Sequence, residues 1–464
     1  MKSKFLCLVL ALAWGMVAGV LADTATVGGV EWTYDLGPKG AIVLKATPAE
    51  GALAIPATLD GNPVAGIGEE AFYGCGELTE VTLPDGVADI GWRAFYLCRG
   101  LVSVRLPDRL ANIGEEAFPF CEKLAAVSIP VSVTNIGERA FACCPGLAEI
   151  AVSPDNACYS GRDGVLFSKS GDTVVRYPGG KAGAYEIPFG VTEIGKGAFG
   201  WCSGLTSVSI PSSVTNIAEE AFSGCTGLSS VAIPDSVATL GEWVFSGCSG
   251  LASVYIPDSV TEIPGGAFSG CSGLASVAIP ESVTSIGNGA FDGCRGLESV
   301  VIPEGVTSIE SYVFNGCSGL RSVGIPSNVR KIDEDAFKGC TGLTYLDIPT
   351  GVMVIGWGSF EGCTGLKKVD LPYTINRIGE WAFKGCSGLT ELYIPEKVTR
   401  IGSGAFAGCS GLKTMNIPDS VDRIDSSVFW GCSSLKTLYV PSEWKGQPML
   451  VKTERPVGCE IIYR

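Results

Sequence analysis

Apolar residues return at fixed places along this chain. In Leu205-Thr-Ser-Val208-Ser-Ile210-Pro211 they fall in the spacing L-x-x-V-x-I. An extended chain puts Val208 and Ile210 on one face and Ser207 and Ser209 on the other, so the spacing predicts a short strand with one buried face. Pro211 ends it, because proline cannot donate to a sheet ladder. Val214 and Ile217 then point inward across a return segment. Glu219 to Ser223 is predicted to form one helical turn, with Ala221 and Phe222 packed inside. Gly224 and Gly227 bracket Cys225 and permit tight backbone angles. Leu228 starts the pattern again.

The recurrence is 23 residues. It is marked by Cys75, Cys98, Cys121 and Cys144, then by Cys202, Cys225, Cys248, Cys271, Cys294, Cys317, Cys340, Cys363, Cys386, Cys409 and Cys432. The one irregular gap, Cys144 to Cys202, is 58 residues, two periods plus 12. A fixed period of roughly 20–50 residues means one small unit stacked many times. Each buried Leu, Val, Ile or Phe contributes roughly 1.5–3 kcal/mol, while ordering the backbone costs roughly 1–2 kcal/mol per residue. A lone coil is therefore not viable, and a stack is. The predicted fold is an α/β repeat solenoid, a right-handed coil with one short parallel strand per repeat. A parallel β-helix is the alternative. Its coils are shorter and more purely strand-like, and the Ala-Phe turn and the repeat length favour the leucine-rich class.

The motif L-x-x-V-x-I-P-x-x-V-x-x-I-G-x-x-A-F-x-G-C, repeated over residues 53–442, closely resembles the BspA-like leucine-rich repeat family of secreted and surface proteins. The resemblance implies a curved solenoid displayed outside the cell, with adhesion or ligand binding as its usual role.

Residues 1–22 read as a secretory leader. Lys2 and Lys4 precede an apolar run from Phe5 to Val20, and Ala22 is a fitting cleavage point. The run is short for a membrane anchor, which needs about 20 apolar residues. Residues 23–52 break the period. Alternation at Val30–Tyr34 and Ala41–Leu44 around Gly37-Pro38-Lys39-Gly40 predicts a β-hairpin cap. A first block of repeats fills 53–150. Residues 151–184 form an insertion with two predicted strands, Val165–Phe167 and Val174–Tyr177, around Ser170-Gly171-Asp172. The second block runs over 185–442. Residues 443–464 form a C-terminal cap, with Cys459–Tyr463 as a closing strand.

Composition narrows the function. The net charge is −15, and losing the leader would remove two more lysines, so nucleic acid is not an expected partner. The absence of histidine excludes Ser-His-Asp and Cys-His catalysis and histidine metal sites. One cysteine per coil at one phase should build a column of thiols about 5 Å apart. In-register side chains point the same way, which suits disulfides poorly and suits a small buried filler in a tight turn. Cys143, Cys158 and Cys459 lie off the column and are better placed for oxidation.

The outward strand positions are bland in the middle coils (Ser207, Ser209, Ser230, Ala232, Ser276, Ala278) and change toward the C-terminus. There one finds Tyr345, Asp347, Lys367, Lys368, Asp370, Glu391, Tyr393, Lys413, Asn416, Lys436 and Tyr439. Tyrosine among mixed charges is binding-surface composition, whereas freely drifting solvated positions would look similar. Lys368 beside Glu391 would be a favourable cross-strand pair, and Asp347 beside Asp370 an unfavourable one. A second row, Asp235, Asp258, Glu281 and Glu304, follows the prolines. It reads as turn chemistry, with a weak cation site as the other reading. The chain is thus expected to be secreted or at the cell surface, monomeric and non-enzymatic, with no cofactor and no membrane span. It would bind an extracellular protein or glycan through its sheet face. A passive matrix scaffold is the rival, and an enzyme with its site in 151–184 the third reading.

Overall fold

The computed structural model describes residues 22–446 and 454–464; the leader assigned to 1–22 lies outside them except for Ala22. The chain is a stack of coils, and each coil touches its neighbours along three lines. The first is the expected ladder: Ser230–Ala232 pairs in parallel with Ser253–Tyr255. The second is a two-residue ladder on the return segment, where Asn216–Ile217 sits between Glu193–Ile194 and Thr239–Leu240. The third runs through the turns. Glu220 N donates to Glu242 O at 2.9 Å, Phe222 N to Val244 O at 2.8 Å and Gly224 N to Ser246 O at 2.6 Å.

This third line corrects the α/β expectation, and with it the count of one strand per repeat. Glu219–Ser223 is not helical. An α-helix needs its amides for carbonyls four residues back, but here every second amide is committed to the next coil. The amides between them close only three-residue turns, as in Ser223 N to Glu220 O at 3.0 Å. Glu220 itself takes the left-handed conformation, φ +54°. The one helical element among the described residues is the 3-10 turn Ser442–Trp444. The fold is a β-solenoid, with no α-helix among the described residues.

Packing inside the stack repeats as strictly as the sequence. From Phe199 to Phe429 the phenylalanine rings form one column with centroids 4.9–5.9 Å apart. The thiol column does more than fill space. Cys225 Sγ donates to Phe199 O, Cys248 Sγ to Phe222 O and Cys271 Sγ to Phe245 O, each at 3.1 Å. Each thiol thus ties its coil to the carbonyl of the coil before. Burial pushes the Cys271 and Cys317 thiols up to about 12, the column cysteines from Cys98 to Cys432 are all buried, and all the described cysteines are unpaired. Only the thiolate is nucleophilic. A disulfide reagent at mild alkaline pH should therefore leave the column from Cys98 to Cys432 unlabelled in the native protein and label it after guanidinium. Half-buried Cys75, Cys143, Cys158 and Cys459 should react first. Peptide mapping checks this, and native disulfides within the column would contradict it.

The ends and the middle depart from the regular coil. Asp23–Val27, Val30–Gly37 and Gly40–Thr47 form an antiparallel meander, one strand more than a hairpin, and its last strand joins Asn62–Ile67 in parallel. Trp32 and Tyr34 are buried beneath it. In the interruption, Tyr159–Arg162, Val165–Ser168 and Thr173–Arg176 form another antiparallel set, again with one strand more than expected. Thr173–Val174 then pairs with Glu193–Ile194, so the segment closes back into the stack as a coil. Leu166 packs into the N-terminal core, and Val165, Phe167 and Val174 into the C-terminal core. Tyr177 takes a phenylalanine's place, 5.0 Å from Phe199. At the far end Glu460–Tyr463 pairs with Thr437–Val440.

Candidate functional site

Outward positions on the strands flank a buried Val, Leu or Met, so they form rows one coil apart. The register sets Tyr345 beside Lys368 and Asp347 beside Asp370. The like-charged pair is relieved locally. Lys368 Nζ lies 3.0 Å from Asp370 Oδ1, and Tyr345 Oη donates to Asp370 Oδ2 at 3.1 Å. Lys368 accordingly holds the Asp370 carboxyl below its ordinary value, and the bond to Asp370 raises the Tyr345 hydroxyl. Lys368 thus pairs within its own strand.

In the next coil, residues 391–393 carry no ladder assignment, between the paired strands Lys368–Asp370 and Thr414–Asn416. The surface opens there into a cleft of about 380 Å³. Six expected residues line it: Lys368, Asp370, Glu391, Tyr393, Asn416 and Tyr439. Tyr393 is 57% exposed, with its hydroxyl 3.4 Å from Glu396. Asn416 Oδ1 is enclosed and has no donor among the described residues. A buried acceptor without a donor costs roughly 1–3 kcal/mol, so the cleft offers a place for an incoming N–H or O–H. Lined by both signs of charge, two tyrosines and the buried Met415 beneath, the cleft can grip a polar chain with apolar patches.

Lys367, Lys413 and Lys436 stand elsewhere. Each precedes the sheet position by one residue. Lys367 N donates to Thr344 O, and Lys436 N to Lys413 O, both at 2.9 Å, which strings them along the strand entrance. Thr414 and Thr437 hold the places in the row that the two later lysines were expected to hold. The residue two beyond each Leu is the outward one, and counting from Asn416 and Tyr439 back across Met415 and Leu438 would have found it.

The acidic row lies along the turns after the prolines. Beside Asp235, Asp258 and Glu281, the hydroxyls of Ser236, Ser259 and Ser282 donate to Val214 O, Val237 O and Val260 O of the coil below, at 2.5, 2.6 and 2.8 Å. Asn328 Nδ2 donates to Glu304 O at 2.9 Å. Among the described residues no three Cys, Asp or Glu side chains gather closely enough to hold a metal ion. No helix among them is long and apolar enough to cross a membrane.

Solved structures similar to this chain include leucine-rich repeat proteins. A structure of one from Bacteroides ovatus is 26% identical, covers 93% of this chain and 98% of its own, and has a TM-score of 0.54. Another from Eubacterium ventriosum is 23% identical, covers 78% of this chain and 96% of its own, and has a TM-score of 0.51, which speaks for the fold alone. No curated protein matches in sequence. The family model for the BspA type leucine rich repeat region matches residues 58–160, 192–321 and 307–436, most of the chain. The chain belongs to the BspA-type leucine-rich repeat family.

Proposed function

We propose that this chain is an exported, non-enzymatic binding protein that holds an extracellular protein or glycan against the sheet face between Tyr345 and Tyr439. The observation that carries this reading is the cleft between the paired strands, where Lys368, Asp370, Glu391, Tyr393 and Tyr439 converge around the unpartnered Asn416 Oδ1. Its mechanism is multivalent contact along a rigid row, in which many weak contacts share one ordering cost. Aromatic anchors commonly dominate such surfaces. The triple variant Tyr345→Ala, Tyr393→Ala, Tyr439→Ala should weaken capture on an array of matrix proteins and glycans by at least about tenfold. Unchanged retention of every captured partner would leave the scaffold reading, which the bland serine and alanine rows of the middle coils favour. The third reading, an enzyme in 151–184, rests on no histidine and no assembled metal site, and a turnover lost on deleting that segment would restore it.

A further inference from the structure

The coil that closes the interruption is short at one corner. Between its second strand and its ring, Val174 and Tyr177 are three residues apart, whereas Ile194 and Phe199 in the next coil are five apart. The corner that every regular coil pushes outward is missing there. The gap is a cleft of about 270 Å³ between the corners of the coils on either side.

Three features set this cleft apart from the regular surface. Arg176, 5% exposed, takes over a missing backbone bond. In a regular coil the amide before the column cysteine donates to the next coil, as Gly224 N does to Ser246 O. Here Arg176 Nη2 donates to Gly200 O at 3.0 Å and Nη1 to Gly197 O at 2.6 Å, and Nε is left enclosed with no acceptor among the described residues. Secondly, the position before the column cysteine is a left-handed glycine in all the later coils from Gly224 to Gly431. Around the cleft it is Phe120 (φ +59°), Cys143 (φ +53°) and Trp201 (φ +62°). An L side chain in that conformation costs roughly 1–2 kcal/mol, so the side chains are held there against the backbone's preference. Trp201 is 55% exposed and lies flat on Gly224, where an added Cβ would meet its ring at 2.8 Å. Thirdly, the charges in the lining balance. Arg139 reaches across the gap to pair with Glu220 and stays 3.8 Å from Glu116.

We propose that this cleft binds one neutral sugar unit of a glycan, its ring face on Trp201 and its hydroxyls meeting Arg139, Glu116, Glu220 and the Arg176 edge. Balanced guanidinium and carboxylate pairs give a charged ligand no net attraction, yet they offer donors and acceptors together, which vicinal hydroxyls use. A volume just below the ~300–1,000 Å³ of drug-sized pockets suits one ring better than a peptide segment. Burial pushes the Cys143 thiol up to about 11, so it adds no charge. The site is independent of the sheet-face reading.

The test is calorimetric titration of the full chain with glucose, galactose, mannose and N-acetylglucosamine, with sialic acid and short Asp- or Arg-containing peptides as charged arms. At least one neutral sugar should bind saturably in the millimolar range. Trp201→Gly restores the residue of the later coils, so it should melt at or above the parent's temperature. Losing the stacking face should nevertheless weaken binding roughly three- to tenfold. Tyr255→Ala, at an exposed sheet-face position that lines neither cleft, should bind sugar as the parent does. Binding of charged probes alone, no saturable binding of any neutral sugar, or equal binding by Trp201→Gly would each overturn the proposal.

Discussion

Phe268→Ala will destabilise the chain by about 3–5 kcal/mol. The ring is fully buried and stacked on both sides, 5.6 Å from Phe245 and 5.4 Å from Phe291. Deleting it removes the transfer energy of the ring and leaves a cavity the neighbours cannot close. Coil spacing at that level is fixed by the backbone, with Phe268 N on Ala290 O at 2.8 Å and Phe245 N on Ala267 O at 2.8 Å. The thiol of Cys294 also rests on Phe268 O at 3.1 Å. Solenoid stability is a sum of coil and nearest-neighbour terms, so one weak interface also divides the stack, and urea unfolding should broaden into two phases. Tyr255→Ala, at a position 57% exposed on the sheet face, is the control and should stay within about 0.5 kcal/mol. A Phe268→Ala cost below about 1 kcal/mol would mean that the ring column is not what joins the coils.

That column was legible from the sequence because the same side chain recurs at the same phase, and only stacking explains a whole row of identical buried rings. The inward Val208, Ile217 and Leu228 were legible for the same reason. The turn was not. Glu219-Glu-Ala-Phe-Ser reads as helical within one repeat, because its amides look free; their acceptors, such as Val244 O for Phe222 N, belong to the next coil. The site was partly legible. Lys368, Asp370, Glu391, Tyr393, Asn416 and Tyr439 flank buried residues in a two-residue alternation and do meet in one cleft. The lysines at 367, 413 and 436 drew attention by charge rather than by phase, and they fall one position early. Strand Tyr159–Arg162 was missed because Tyr-Ser-Gly-Arg carries no apolar alternation and is held by backbone pairing to Val165–Ser168. Neither the unpartnered Asn416 Oδ1 nor the missing corner beside Arg176 has a signature in one repeat read alone.

Arg176→Met is the second large effect, expected to cost about 2–3 kcal/mol and to act locally. Replacing a buried charge by an apolar side chain of similar length is often nearly neutral, because it also removes a desolvation cost. Here the acceptors stay behind. Gly197 O keeps the amide of Gly200 at 2.9 Å, but Gly200 O loses the bond from Nη2 that stood in for a backbone amide and keeps only the long 3.8 Å contact from the Cys202 thiol, and a buried carbonyl so poorly satisfied costs roughly 1–3 kcal/mol. Arg176→Lys should fall between, since an ammonium is a single point donor and cannot span both carbonyls as the planar fork does. The place matters as much as the size. The two hydrophobic cores meet at this coil, and the stacked rings pause between Phe141 and Tyr177, so Arg176 braces the joint where ring packing is thinnest. Hydrogen exchange should therefore quicken over Gly197–Trp201 and at Tyr177, whose amide donates to Ala198 O at 2.8 Å, while Phe268 and its neighbours stay protected. Unchanged protection at the joint, with an unchanged unfolding midpoint, would show that the two blocks are coupled without the arginine.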